Sequence, residues 1–164
     1  MKYLDKAETA RGDSPRFLEI QDYRVTYPAN VRWVCRRCAQ CCRDIVGHRR
    51  RIRLLAAEAD EISRRSGIAV EGFSGPTSNK IYCREMRKVN GECRFLHRNG
   101  CVVYTSRPLV CRFYPFEMRK EGMLLRILLT DKRCPGINQG RRLKESFFKE
   151  LASTAIERLE TFNA

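Results

Sequence analysis

The chain has 164 residues, a formal charge of +14 and nine cysteines. That length is one domain's worth and buries a core without a metal's help, so the cysteines are not there to rescue a miniature fold. The odd cysteine count and the charged start "MKYLDKAETARGDS" argue against a secreted disulfide scaffold, and Arg126 interrupts the longest apolar run, "MLLRILL", which excludes a membrane span.

The expectation is a soluble, cytoplasmic protein with reduced, metal-bound thiols and no membrane partner. Its 33 Lys and Arg against 19 Asp and Glu favour an acidic protein or nucleic-acid partner. Metal–thiolate charge competes with that reading, since four thiolates on one Zn²⁺ carry a net charge of about −2.

Residues 1–15 are polar and close on Gly12, Ser14 and Pro15, which predicts a disordered terminus before a single domain over 16–164. Arg16 to Val34 is rich in aromatic and β-branched residues, and Val31, Trp33 and Cys35 share a strand face, with Trp33 either plain core or a shield for a metal. "RRRIRLLAAEADEISRRSG" begins extended and turns helical near Leu55. Leu55, Ala59, Ile62 and Ser66 fall at helical spacing, and Gly67 is a left-handed stop. The arginines at 49–53 read as a solvated face. A loop, "VEGFSGPTSN", follows.

Asn90-Gly91 predicts a type I′ hairpin within "KIYCREMRKVNGECRFL", and "HRNG" a second turn into "CVVY". "TSRPLVCRFYPF" reads as one helical turn, capped by Ser or Thr, with Pro108 in its first turn and Pro115 at its end. "EMRKEGMLLRILLT" predicts a hairpin about Glu121-Gly122, and "DKRCPGINQG" a loop. The clearest helix spans 141–162: Leu143, Phe147, Leu151, Ala155, Leu159 and Phe162 form its stripe, widened by Phe148, Ala152 and Ile156.

Four cysteines crowd into "WVCRRCAQCCRD". A two-residue gap lets a tight turn bring two thiolates to one metal, and Cys35, Cys38 and Cys41 repeat that gap twice. Cys42 breaks the pattern. Neighbouring side chains diverge, whereas tetrahedral zinc with bonds of about 2.3 Å holds its sulfurs about 3.8 Å apart, so the doublet is expected to serve two metals or opposite corners of something larger than one ion. Cys93, Cys101, Cys111 and Cys134 lie at turns or element ends and bring the number of candidate thiols to eight. Cys83 sits mid-strand and reads as a free buried thiol. His48 and His97 can replace cysteine on zinc or iron but are not needed among eight thiols.

"CRRCAQCC", then "CRFLHRNGCVVYTSRPLVCRFYPF" and "CPG", resembles the CxxCxxCC cysteine-cluster family, also called the YkgJ family, of zinc- or iron-chelating domains. The likeness runs over roughly residues 31–137. It departs at Ala39, where members usually carry glycine; alanine implies a turn without positive φ, or mild strain. The resemblance implies Cys35, Cys38, Cys41, Cys42, Cys93, Cys101, Cys111 and Cys134 as ligands of an iron–sulfur cluster, of the 4Fe-4S type, and/or zinc. It implies Arg107 and Arg112 as neutralisers of thiolates or an anion seat, against packing and capping of the short helix. A similar cysteine region occurs in flagellin lysine-N-methylase, a longer enzyme that uses S-adenosylmethionine.

The fold expected is α+β: small irregular β-hairpins around a cysteine-ligated metal centre, packed by a mid-chain helix and a long C-terminal helix. The leading function is a metal-chelating protein with a redox or cluster-dependent accessory role, and an iron–sulfur oxidoreductase activity stays open. The alternatives are a zinc-structured basic nucleic-acid-binding module and a component of an S-adenosylmethionine-dependent methylase, although no Gly-rich nucleotide loop follows a strand.

Overall fold

The computed structural model describes residues 15–160, so the expectation for the N-terminus and the place of Phe162 fall outside the described residues. Apolar and polar residues alternate along Arg16–Ile20 (β1) and Tyr23–Tyr27 (β2), which pair antiparallel with Arg16 opposite Tyr27. β3 is only Arg32–Trp33; Val31 and Trp33 pack on the core, but Cys35 lies beyond the strand and is exposed. After the cysteine loop, Arg53–Leu54 (β4) leads into α1, Ala56–Ser66, which stops at Gly67 with φ 68° as the sequence predicts.

The expected loop instead holds a helical turn, Val70–Phe73 (α2), and a short strand, Ser74–Pro76 (β5). Fully buried Phe73 anchors both, a tertiary contact that outweighs the local Gly and Pro signals. β6, Arg84–Met86, pairs with β4 and β5. The Asn90-Gly91 hairpin is therefore short: Lys88–Val89 (β7) against Glu92–Cys93 (β8), with φ 51° and 77° at the two turn residues. Leu96–His97 (β9) and Gly100–Cys101 (β10) make the second hairpin.

A 3-10 turn at Tyr104–Ser106 precedes α3, Leu109–Phe113. Pro108 stands just before this helix, and neither Ser nor Thr caps it. Phe116–Glu121 (β11) and Leu124–Leu129 (β12) form the expected hairpin, turning at Gly122-Met123. Part of the expected last loop is strand: Ile137–Arg142 (β13) pairs with β3. α4, Glu145–Glu160, starts later than its periodicity suggests because residues 141 and 142 belong to β13.

The arrangement is α+β, with four helices and small sheets among the described residues. The main sheet runs β1-β2-β12-β11, with β2 and β12 parallel. Leu125 and Ile127 point from β12 into a cluster with Val25, Tyr27 and Phe116, closed by Phe148, Ala152, Ala155 and Ile156 of α4. A second cluster joins Ile52, Leu54, Ile62, Phe73, Met86 and Phe95 to Cys93. No helix among the described residues is long and apolar enough to cross a membrane.

Candidate metal centre

Two left-handed residues wind the first cysteine loop: Arg37 at φ 51° and Ala39 at φ 58°. Gln40–Cys42 then make a 3-10 turn in which the Cys42 N–H donates to the Ala39 carbonyl at 2.9 Å. Alanine thus keeps the left-handed turn that glycine would favour, at a strain of roughly 1–2 kcal/mol. The Cys134 loop reaches the start of this segment by close approach. A Cβ on Gly136 would lie 2.1 Å from the Val34 carbonyl oxygen, so only glycine fits there.

Three polar side chains that the sequence reading did not single out tie the cysteine-bearing segments together. The Arg43 guanidinium donates to Glu92 Oε1 at 2.7 Å, to the Cys38 carbonyl at 3.3 Å, and to the Arg98 carbonyl and Asn99 Oδ1, each at 3.2 Å. It therefore joins the first loop to both hairpins. Asp44 accepts the Arg50 N–H at 2.7 Å and pairs with Lys88, while its own N–H donates to the Gly91 carbonyl. Glu58 is 1% exposed and accepts the N–H groups of Leu55 and Leu109, at 3.0 and 2.7 Å, and Arg158 Nη1 at 3.2 Å. The cap of α3 is this carboxylate from α1, which holds the turn bearing Cys111. Its one sequence signal was a glutamate three residues after Leu55, the second half of a capping box whose first half is apolar.

Eight cysteines surround one space between these segments. Cys35, Cys38, Cys41, Cys42, Cys93, Cys101, Cys111 and Cys134 all line a single cavity of about 390 Å³. Residues from 93 to 134 meet those from 35 to 42, although up to 99 positions of chain separate them. Trp33, Ile52, Met86, Phe95 and Val103 give the cavity apolar walls, and Arg36, Arg37 and Arg107 also line it. Trp33 packs on the main core, the first of its expected roles, and its Nε1–H donates to Cys134 Sγ at 3.4 Å.

The family comparison agrees with this convergence. A profile described as "CxxCxxCC: Putative zinc- or iron-chelating domain" matches residues 34–147, well over half of the chain. The chain belongs to the CxxCxxCC family. It is also similar to "Uncharacterized protein MJ0661" of Methanocaldococcus jannaschii, 25% identical over 133 residues that cover 75% of this chain and 68% of that protein. No solved structure matches.

Within this CxxCxxCC chain Cys83, His48 and His97 stand apart from the cavity, whereas Arg107 and Arg112 both line it. Cys83 is half-buried just before β6 and does not line it. His97 is exposed in its hairpin, and His48 lines a different groove. Arg112 donates to the Arg107 and Thr105 carbonyls at 2.9 and 2.8 Å, the packing and capping role. Arg107 lies over the Tyr104 ring with Cζ 3.9 Å from its centroid. The doublet departs from expectation: Cys41 Sγ and Cys42 Sγ are 3.9 Å apart, close to a tetrahedral edge, so the neighbours do not diverge.

Burial favours the protonated form of several of these thiols. The Cys42 thiol hydrogen-bonded to Cys41, together with burial, pushes the Cys41 pKa far up, against the Arg50 charge. Burial raises Cys93, Cys101 and Cys111 as well. Without a metal these thiols hold their protons, and a metal binds by displacing them.

The walls also fit a negatively charged set of sulfurs. Among the described residues, the buried side-chain polar atoms without a hydrogen-bond partner are Arg50 Nε and Tyr114 Oη. These two side chains stack, with Arg50 Cζ 5.1 Å from the Tyr114 ring centroid. Tyr114 lines the cavity, and the Arg50 charge acts on both Cys41 and Cys111. No three His, Cys, Asp or Glu among the described residues already stand as the ligands of one ion. The cavity is broader than one tetrahedral ion with bonds of about 2.3 Å needs.

Proposed function

We propose that this cavity holds an iron–sulfur cluster, of the 4Fe-4S type with or without a neighbouring zinc ion, bound by Cys35, Cys38, Cys41, Cys42, Cys93, Cys101, Cys111 and Cys134. The observation that carries the reading is the convergence of all eight thiols, and no other cysteine, on one space of about 390 Å³. The breadth of that space favours a cluster over a lone ion. A bound cluster supplies one-electron chemistry, and zinc supplies a crosslink.

The chain's own residues do the rest. Trp33, Phe95 and Val103 keep water from the sulfurs, and Trp33 orients Cys134 through its N–H. Arg50 and Tyr114 offer donors that temper negative charge on the sulfurs, a recognised control of cluster potential. Cys35 and Cys38 are exposed while Cys93 and Cys134 are buried, so the site has an inner and a solvent-facing side. Exchange with a partner takes place at the outer side. The reading makes this an accessory protein with a redox or cluster-dependent role.

Full-length protein purified without oxygen tests it, by elemental analysis and visible absorption. Iron with inorganic sulfide and a brown colour is the expected result. Colourless protein holding only zinc removes the cluster, and a folded protein with no metal removes the reading altogether.

A further inference from the structure

Away from the thiols, "RRRIRL" at 49–54 carries a second pattern. Arg49 and Arg51 are exposed and Arg53 half-buried, whereas Arg50 stacks on Tyr114 and Ile52 and Leu54 are buried. The alternating burial is that of an extended chain, on which residues two apart share a face at a repeat of about 6.6 Å, and it puts Arg49, Arg51 and Arg53 on one side. They line a groove of about 480 Å³ together with Arg133 and an apolar floor that includes Leu109 and Phe113.

The groove's charge is unbalanced. Of its two carboxylates, Glu117 is paired with Arg119 at 3.3 Å and Asp131 with Arg133 at 2.9 Å. Glu85 answers Arg49 only at 3.9 Å. Arg51 and Arg53 have no carboxylate within ion-pair distance among the described residues. Lines of cationic side chains over an apolar floor attract an anionic, partly apolar ligand.

We propose that this groove docks an extended acidic segment of a partner protein, with Asp or Glu at alternate positions. Such a segment repeats its side chains at the same spacing of about 6.6 Å, which sets carboxylates in register with Arg49, Arg51 and Arg53. Nucleic acid fits less well. The Tyr114 ring that could stack on a base is already covered by Arg50. Tyr114 lines both the groove and the thiol cavity, so the docked partner lies one side chain from the sulfurs. The inference stands whichever metal the cavity binds.

Fluorescence anisotropy with the full chain tests it, using a labelled peptide of alternating Glu and Thr about ten residues long. The controls are a peptide of the same composition with its Glu in one block, and an oligo-dT of similar length. The alternating peptide should bind tightest, and Arg51→Ala with Arg53→Ala should weaken it about tenfold. Arg64→Ala with Arg65→Ala on α1 removes the same charge and should change affinity by less than about twofold. Arg51→Glu with Arg53→Glu should instead bind the corresponding Lys-Thr peptide, which shows that the variant is folded. Tighter binding of oligo-dT, equal binding of the two peptides, equal loss in both alanine pairs, or no binding at all would each overturn the proposal.

Discussion

In the sheet β1-β2-β12-β11, strands of five and six residues lay Val25, Leu125 and Ile127 against the 16 residues of α4. Around the cysteines, β7, β8, β9 and β10 are two residues each. The first region holds together by itself: Tyr27 stacks on Phe148 at 4.7 Å, and Phe116 and Phe147 meet the same ring edge-on. Its core contains no cysteine, whereas Cys93, Cys42, Cys101 and Cys111 belong to or pack on the second cluster. Isolated hairpins that short are unstable in water. The contrast teaches that one half is specified by apolar packing alone, and the other by a smaller apolar cluster together with polar ties such as Arg43 and the crosslink that its sulfurs can supply.

Removing metal should break that symmetry most strongly. Structural zinc sites contribute apparent energies of about 10–16 kcal/mol, so a chelator should cost the cysteine half most of its stability. Hydrogen exchange should then show residues 84–103 losing protection while β11, β12 and α4 keep theirs. If both halves open together, they form one cooperative unit and the contrast is wrong.

Single substitutions sharpen it at smaller scale. Cys111→Ser should strip metal and destabilise by several kcal/mol if the thiol is the ligand we propose on the inner wall. Phe148→Ala should cost about 3–5 kcal/mol through the cavity it leaves, yet bind metal in full stoichiometry. Cys83→Ser should cost no more than about 1 kcal/mol and leave metal content unchanged. Melting curves with metal analysis on the three variants decide this. Equal metal loss in Cys111→Ser and Cys83→Ser would mean that the ligand assignment is wrong.

What the sequence disclosed follows the range of the forces involved. Asn90-Gly91, the spacing from Leu55 to Gly67 and the turn signal at Glu121-Gly122 report backbone preferences within a few residues, and each element formed. The pairing of β3 with β13 depends on Gly136 meeting Val34 across 102 positions, and no local signal encodes it. The same holds for the parallel register of Val25 with Leu125. The eight candidate thiols were legible by type and spacing, and the cavity they share follows that reading. The residues that aim them were not, because Arg43, Asp44 and Glu58 look like ordinary surface charge until their distant partners are known.

The smallest effect belongs to Ala39, where opposing terms nearly cancel. Ala39→Gly relieves a left-handed alanine worth roughly 1–2 kcal/mol. Against this, glycine loosens the unfolded chain by about 0.4–1 kcal/mol, and the methyl lost from a residue only 7% exposed costs up to about 0.8. Mid-range values leave less than about 0.5 kcal/mol, a shift of at most about 2 °C in melting temperature for a chain of this size, and the extremes reach only about −0.8 and +1.6 kcal/mol. Ala39→Val has no such compensation, since a β-branched residue resists positive φ, and it should lower metal occupancy as the turn through Cys38 and Cys41 opens. A valine variant that melts and binds metal like the parent would show that the loop takes its shape from the metal and not from its own backbone, and the polar ties of Arg43 would then follow ligation instead of preparing it.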